Sequence, residues 1–224
     1  MVISNACGCY SLRNLILNAR TTHRETALIL AARNGVAKCV RVLLASKADL
    51  EAKDKEYRQT PSIWAAEKGK TECVKLLIAA RANLEARDEY GENALIWAAR
   101  SGEAECVEVL LSAKANVNAI DDDGKGALLW TARYGHSGCM SLLLAAKADL
   151  EVKDREYGGT ALIWAAENGN TECVQLLITA KADVEAKDKC GKTAVMWAHD
   201  GKIDCVQLLN IAKANAGTNR SHRG

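Results

Sequence analysis

The sequence predicts an all-α solenoid of stacked antiparallel helix pairs joined by hairpin-like loops. A tryptophan-centred pattern, T-A-L-I-W-A-A in its fullest form, recurs every 33 or 34 residues, and its anchors are Thr26, Thr60, Asn93, Gly126, Thr160 and Thr193. Each copy leads into a cysteine, and these six repeat cysteines are Cys39, Cys73, Cys106, Cys139, Cys173 and Cys205. Self-similarity at this period indicates an array in which no unit buries its apolar face alone.

The repeat at residues 154–187 shows how each element is predicted. Thr160 is a good cap for a first helix, and the strong helix formers that follow it continue to Glu167. Gly169 ends that helix after about two turns. A second helix starts at Thr171, because the next apolar residues recur at the three- and four-residue spacing of an amphipathic helix. The chain then extends into a turn that leads to the next repeat.

The period also divides the chain. We predict an N-terminal capping segment at 1–20, a repeat domain at 21–217 and a polar tail at 218–224. The six repeats lie approximately at 21–53, 54–87, 88–120, 121–153, 154–187 and 188–217. A short apolar stripe within residues 12–16 predicts that the first segment covers one end of the array. The last repeat is expected to be atypical, since one face of a terminal repeat meets water.

Charge and hydropathy exclude several classes of partner. The net charge is +2, from 30 basic and 28 acidic residues, which leaves no electrostatic footprint for nucleic acid. No apolar run reaches the roughly 18 residues that predict a membrane span, and the start lacks a signal-peptide pattern. We therefore expect a monomeric cytoplasmic protein, with the nucleus as the alternative compartment, and neither nucleic acid nor membrane as a partner.

The six repeat cysteines are predicted to be reduced and mostly buried. Equivalent helices in a stack lie about 8–10 Å apart, whereas a disulfide needs Cα atoms within about 7 Å. A buried free cysteine acts as a small hydrophobe. Cys7, Cys9 and Cys190 lie outside the repeat position and are expected to react first with thiol reagents.

The repeat resembles the ankyrin repeat, D-x-x-G-x-T-P-L-H-x-A-A-x-x-G-H-x-x-x-V-x-x-L-L-x-x-G-A-D, from Thr21 to about Asn215. Pro61 follows Thr60 as the motif requires, and proline is favoured at the first helical position. An apolar residue replaces the motif's first histidine. Basic residues replace its glycine after the second helix, at Lys47, Arg81, Lys114, Lys147, Lys181 and Lys213. Each of these either adopts a left-handed conformation, at a cost of order 1 kcal/mol, or ends the helix differently.

The resemblance implies that the concave face and the loop tips bind another protein. The tryptophans lie toward the polar edge of the first helix, because they share a face with polar residues three and four positions later. We expect partly exposed rings along a groove, with a buried stripe between repeats as the alternative. Tyr, Trp and Arg dominate binding hot spots. The candidate partner-binding residues are Trp64, Tyr90, Trp97, Arg100, Asp122, Asp123, Trp130, Arg133, Tyr134, Tyr157, Trp164 and Glu167.

The leading hypothesis for function is a non-enzymatic protein-interaction module or scaffold. The alternative is a targeting or regulatory segment of a larger multidomain enzyme such as a kinase. We predict no catalytic, cofactor or metal site. The segment before Lys192 lacks the glycine-rich bend of a phosphate-binding loop. The acidic loop at 121–126 lacks two calcium ligands, since Lys125 and Ala132 occupy their positions.

Overall fold

The computed structural model describes residues 25–198 and 202–221. Within these ranges the secondary structure consists of twelve helices and one isolated bridge between Ile120 and Gly126. The chain divides into two compact units, Met1–Ala115 and Asn116–Gly224, which are described separately below. The all-α fold predicted from the repeat is confirmed. The predicted capping segment at 1–20 lies outside the described residues, and so do residues 222–224 of the predicted tail.

The first unit contains three described helix pairs. Their helices are α1 (Ala27–Arg33), α2 (Ala37–Ala45), α3 (Pro61–Glu67), α4 (Thr71–Ala79), α5 (Ala94–Ser101) and α6 (Ala104–Ser112). The first helices α1, α3 and α5 pack in one row, and the second helices α2, α4 and α6 pack in another. A short connection joins the two helices of each pair, as in a helical hairpin. In the first pair it contains Gly35 in the left-handed region, at φ 73°.

The second unit repeats this arrangement from residue 127 onward. Its helices are α7 (Ala127–Tyr134), α8 (Ser137–Ala145), α9 (Ala161–Asn168), α10 (Thr171–Thr179), α11 (Ala194–Trp197) and α12 (Ile203–Ser221). The first helix of the last pair, α11, has only four residues, as expected for an atypical terminal repeat. Residues 199–201, where we predict a shortened end of that helix, lie outside the described residues. Helix α12 continues past residue 217, where the polar tail is predicted to begin.

Three of the six repeat anchors, Thr26, Thr60 and Asn93, cap the first helices with their side chains. The prediction that Thr160 caps its helix is wrong, since its hydroxyl makes no such hydrogen bond, and neither does that of Thr193. The Thr26 hydroxyl accepts the Ile29 N–H at 3.3 Å, and the Asn93 side chain accepts the Ile96 N–H at 3.0 Å. Such a cap satisfies one of the N–H groups that have no partner within the helix. Pro61 is the first residue of α3, as predicted. Gly126 has no side chain for this role, and α7 starts without a side-chain cap.

Apolar packing takes the place of the histidine found in the ankyrin motif. In the last repeat the residue at that position, Met196, is exposed. Ile29 packs in one cluster with Ala52 and with Trp64 of the following repeat. Burial at this position therefore depends on the stacking of repeats as well as on the single helix pair. The residue is buried in the other five repeats, at Ile29, Ile63, Ile96, Leu129 and Ile163.

The basic residues after the second helices adopt the left-handed conformation. Their φ angles are 61° at Lys47, 66° at Arg81, 68° at Lys114, 62° at Lys147 and 69° at Lys181. Each side chain is exposed. Of the two predicted outcomes, the strained one therefore occurs at five positions, and the chain bears the backbone cost that glycine would avoid. The sixth residue of the set, Lys213, lies within α12, where the helix simply continues.

The prediction for the repeat cysteines is confirmed at five positions and wrong at Cys39. Cys39 is free and exposed, whereas the buried free cysteines are Cys73, Cys106, Cys139, Cys173 and Cys205. The Cys205 thiol lies against the preceding repeat, with its sulfur 3.4 Å from the Thr171 hydroxyl oxygen. Cys39 belongs to the first described pair, so the described chain provides no earlier repeat to cover it. Burial raises the pKa of Cys173 to about 11, which makes that thiol a poor nucleophile.

Candidate functional site

An aspartate from the preceding loop binds each of the five tryptophans. The indole Nε1–H of each ring donates to a carboxylate, and the Trp–Asp pairs, with their N–O distances, are Trp64–Asp54 (2.7 Å), Trp97–Asp88 (2.7 Å), Trp130–Asp121 (3.0 Å), Trp164–Asp154 (3.1 Å) and Trp197–Asp188 (2.8 Å). Each carboxylate also accepts backbone N–H groups of its own loop. Asp88 accepts those of Tyr90 and Glu92, both at 2.9 Å. One side chain thus fixes the loop to the first helix.

The expectation of partly exposed tryptophan rings is wrong for three of the five. Trp64 is 9% exposed, and Trp130 and Trp164 are each 7% exposed, while Trp97 and Trp197 are half-buried. The hydrogen bond to aspartate is made by all five rings, so it holds each ring at the loop but does not distinguish the buried rings from the half-buried ones. Cations then cover part of the ring surface: the Arg33 guanidinium lies 5.0 Å from the Trp64 ring centroid. These tryptophans act mainly as structural residues.

The aspartates differ in how their burial is offset. At Asp121, burial outweighs the hydrogen bonds from the Lys125 N–H and the Trp130 indole, and the pKa of the carboxyl rises. At Asp188, burial also raises the pKa, but the hydrogen bonds from Lys192, Trp197 and Cys190 together outweigh it, so the pKa falls. The same hydrogen-bond pattern therefore stabilises the carboxylate form more in the last repeat than in the fourth.

Sequence reasoning missed these aspartates, although the sequence carried a signal for them. An aspartate stands nine or ten residues before each tryptophan, and the longer spacing occurs where the loop has one extra residue. The first repeat lacks both partners, with Leu30 in place of the tryptophan and Thr21 in place of the aspartate. Two residue types that appear and disappear together at a fixed offset indicate a contact. Comparing the repeats with one another would have found it.

Arginine occurs seven residues after the anchor in three repeats, and its partner differs among them. Arg33 forms an ion pair with Glu25, and Arg100 contacts the two carboxylate oxygens of Glu92 at 2.8 and 2.9 Å. Each glutamate stands eight residues before its arginine. At Arg133 the residue eight positions earlier is a lysine, which cannot accept a hydrogen bond. Within the described residues, the Arg133 guanidinium forms no ion pair.

Arg133 packs instead against aromatic rings in the second unit. Its guanidinium carbon is 4.8 Å from the Trp164 ring centroid, 5.6 Å from that of Trp130 and 6.0 Å from that of Tyr134. Tyr134 stacks on Trp130, with centroids 5.8 Å apart and 8° between the planes. Tyr157 meets Trp164 edge-on at 5.9 Å. We call these five residues the Arg133 cluster. Tyr134 is 47% exposed and Tyr157 is 51% exposed, so the cluster reaches the surface.

Among the predicted site residues of the first unit, Arg100 contacts Trp97, and Tyr90 lies near another tyrosine. Arg100 lies over the Trp97 ring, with 4.7 Å between its guanidinium carbon and the ring centroid. The exposed Tyr90 is 6.4 Å from Tyr57, measured between ring centroids.

The acidic candidates of the second unit lie outside the Arg133 cluster. Asp122 and Asp123 are exposed, and the Asp122 carbonyl accepts a hydrogen bond from the Arg155 side chain. Glu167 is half-buried, and its backbone carbonyl accepts the Lys202 ammonium.

Comparison with known proteins is consistent with this geometry. A family model that describes three copies of the ankyrin repeat matches the chain at four overlapping ranges, residues 2–88, 28–121, 62–154 and 128–220. The chain belongs to the ankyrin repeat family. Ankyrin repeats are generally protein–protein interaction modules. A search of curated proteins found no match.

The described part of these ankyrin repeats contains neither a cluster of metal ligands nor a helix that could cross a membrane. Within residues 25–198 and 202–221, no group of three or more His, Cys, Asp or Glu side chains has a geometry that could hold a metal ion. In the same part of the chain, every helix is too short or too polar to span a bilayer.

Proposed function

We propose that this ankyrin repeat protein is an interaction module or scaffold that binds another protein through the Arg133 cluster and the neighbouring loop tip. The observation that carries the proposal is an arginine held against aromatic rings at the surface, without a carboxylate partner in the described chain. Tyr, Trp and Arg are the residue types that contribute most to binding at protein interfaces. Family membership supports the general role, and the cluster supports this particular location.

The rigidity of the rings in the Arg133 cluster also supports the proposal. Trp130 and Trp164 are held by loop aspartates, so the rings that support Arg133 are already ordered before any partner arrives. Tyr134 stacks on one of these rings and Tyr157 packs against the other. Ordering a side chain at an interface costs about 0.5–1.5 kcal/mol, and a preorganised surface avoids much of that cost.

Site-specific photo-crosslinking in cells tests the proposal. A photoreactive phenylalanine analogue replaces Tyr134 or Tyr157 in turn, and the matched control places it at Gln175, which is exposed on the second helix of a repeat in the same unit. We expect a defined protein adduct at positions 134 and 157 and little at 175. Tyr134→Ala combined with Tyr157→Ala should weaken capture of that protein about tenfold or more while the helical signal is retained.

Two outcomes would contradict the proposal. Equal crosslinking at positions 134, 157 and 175 would show that the Arg133 cluster is not a preferred surface. Strong crosslinking at 175 alone would place the partner on the second helices.

A further inference from the structure

The residue before the anchor and the residue seven positions after it carry different charges in different repeats. The residue before the anchor faces the residue seven positions after it, as the contacts Glu25–Arg33 and Glu92–Arg100 show. In the second repeat, Gln59 donates to Glu67 at 3.2 Å at this place. In the fourth repeat, both positions are basic, with Lys125 and Arg133. Among the six repeats, only the fourth has a lysine at the acceptor position opposite an arginine.

Lys125 interacts with Asp123 and Trp130, and it provides no carboxylate for Arg133. The Lys125 side chain is 7% exposed, and its ammonium lies 3.1 Å from an Asp123 carboxylate oxygen. The same ammonium is 5.4 Å from the Trp130 ring centroid, the ring that Arg133 also contacts. Two cations therefore share one indole. The Lys125 ammonium pairs with Asp123 and also interacts with Asp121, which is bonded to the indole, whereas no carboxylate of the described chain forms an ion pair with Arg133. An anion placed beside Arg133 would balance the second charge.

We infer that Arg133 binds a carboxylate supplied by an acidic segment of the partner protein, and this inference rests on the proposed function above. Within the part of the chain that the structure describes, no carboxylate pairs with the guanidinium. Arginine stacked on aromatic rings keeps its fork of donors for an acceptor, and that fork matches a carboxylate in a bidentate arrangement. Tyr134 and Tyr157 provide exposed rings for the residues that flank the acidic side chain.

Charge around the cluster favours a carboxylate over a phosphate or a polyanion. The same unit presents Asp122 and Asp123 from a loop, and Glu167 from the helix that carries Trp164. These acidic side chains would repel a doubly charged group more strongly than a singly charged one. The net charge of the whole chain is only +2. Lys125 is already paired with Asp123, so the guanidinium of Arg133 is the anion-binding group.

A displayed library of random peptides, selected on the immobilised full chain, tests this inference. We expect the wild-type protein to enrich peptides with Asp or Glu at a fixed position, and Arg133→Gln to weaken the binding of those peptides about tenfold or more. Arg133→Lys should recover part of the affinity, since the charge remains but the bidentate geometry is lost. Phosphorylated copies of the selected peptides are measured in parallel.

Lys125→Glu is the most specific variant, because it leaves Arg133 in place. The introduced carboxylate would stand where Glu92 stands in the preceding repeat, and it would pair with Arg133 as Glu92 pairs with Arg100. The preference for acidic peptides should then fall about tenfold, as after direct replacement of the arginine. Arg33→Gln is the matched control: its guanidinium already pairs with Glu25, so binding of the selected peptides should be unchanged. Circular dichroism of each variant verifies that it is folded.

The outcomes separate this inference from the proposed function. If binding of the selected peptides needs Tyr134 and Tyr157 but is unaffected by Arg133→Gln or Lys125→Glu, the acidic-partner inference is wrong and the proposed surface stands. If the peptides bind equally well after Tyr134→Ala and Tyr157→Ala, the proposed surface itself is wrong. Much tighter binding of the phosphorylated copies would overturn the assignment of a carboxylate.

Discussion

Glu92 in the first unit and Lys125 in the second unit occupy the same position, one residue before the first helix anchor of their repeats. Glu92 is buried and closes an ion pair with Arg100 at 2.8 Å. Lys125 is also buried but turns to Asp123, and Arg133 is left against aromatic rings. One change of sign at a buried position thus separates an arginine paired with a carboxylate from an arginine that forms no ion pair among the described residues.

The contact between the loop and the first helix is the same in the two repeats. Trp97 and Trp130 each donate to an aspartate of the preceding loop, at 2.7 and 3.0 Å. Each aspartate also accepts two backbone N–H groups from its loop. The comparison shows that the bond between the tryptophan and the loop aspartate is present in both repeats. The residue before the anchor differs, and it determines whether the arginine has a carboxylate partner.

Removing the loop aspartate of either repeat should have the largest effect on the free energy of unfolding. We expect Asp88→Ala and Asp121→Ala each to lower the free energy of unfolding by about 3 kcal/mol, because three donors lose their acceptor in either variant. Urea denaturation followed by circular dichroism measures both. Similar losses in the two repeats would confirm that this contact serves the same purpose in each. A loss below about 1 kcal/mol in one of them would show that water replaces the carboxylate there.

Exchanging the residue before the anchor, Glu92 or Lys125, should change the free energy of unfolding by an intermediate amount, in opposite directions in the two repeats. Glu92→Lys removes charged hydrogen bonds from Arg100 and should lower the free energy of unfolding by about 2 kcal/mol. Lys125→Glu creates the equivalent pair with Arg133 and should raise it by about 1 kcal/mol. The same denaturation experiment compares the two. If both changes destabilise the protein, the two repeats are not equivalent at this position.

The smallest effect concerns the residue two positions before the anchor in the two longer loops. Arg58 and Gly158 occupy equivalent positions, with φ angles of 57° and 70°. Arg58→Gly should raise the free energy of unfolding by about 0.5–1 kcal/mol, since glycine adopts this conformation without steric cost.

Gly158→Arg is the reverse change and should lower the free energy of unfolding by about 1 kcal/mol. A side chain there would also approach the Lys189 side chain, because an added Cβ atom would lie 2.9 Å from its Cγ. Thermal unfolding of both variants measures the difference. Equal effects of the same sign would mean that backbone conformation does not decide stability at this position.

Much of the fold was predictable because its signals are local and repeated six times. Thr26 and Asn93 cap helices and Pro61 starts one, whereas the predicted side-chain cap at Thr160 is absent. The burial of Cys106 was also predicted, whereas the exposure of Cys39 was not. The burial of a repeat cysteine depends on contacts with the preceding repeat, such as that of Cys205 with Thr171, and the described residues include no repeat before that of Cys39.

The candidate site was predictable only in part. The structure brings five of the predicted residues, Trp130, Arg133, Tyr134, Tyr157 and Trp164, together in one unit. The expected exposure of the tryptophans was wrong at three positions. The indole–aspartate bond occurs at all five and does not decide which rings are buried, but at Trp64 and Trp164 an arginine of the preceding repeat also lies over the ring. A helical-face argument considers only neighbours three and four residues away and cannot include that contact.

The sequence by itself determined the repeat, the helix pairs and the chemistry available at each repeat position, because these follow from periodicity and local propensity. It left open whether the basic residues after the second helices, such as Lys114, would adopt the left-handed conformation. Only the tertiary structure decided that, together with the partner of each arginine. Both depend on how loops pack against helices, and there the same residue type, as at Arg100 and Arg133, has different neighbours in space.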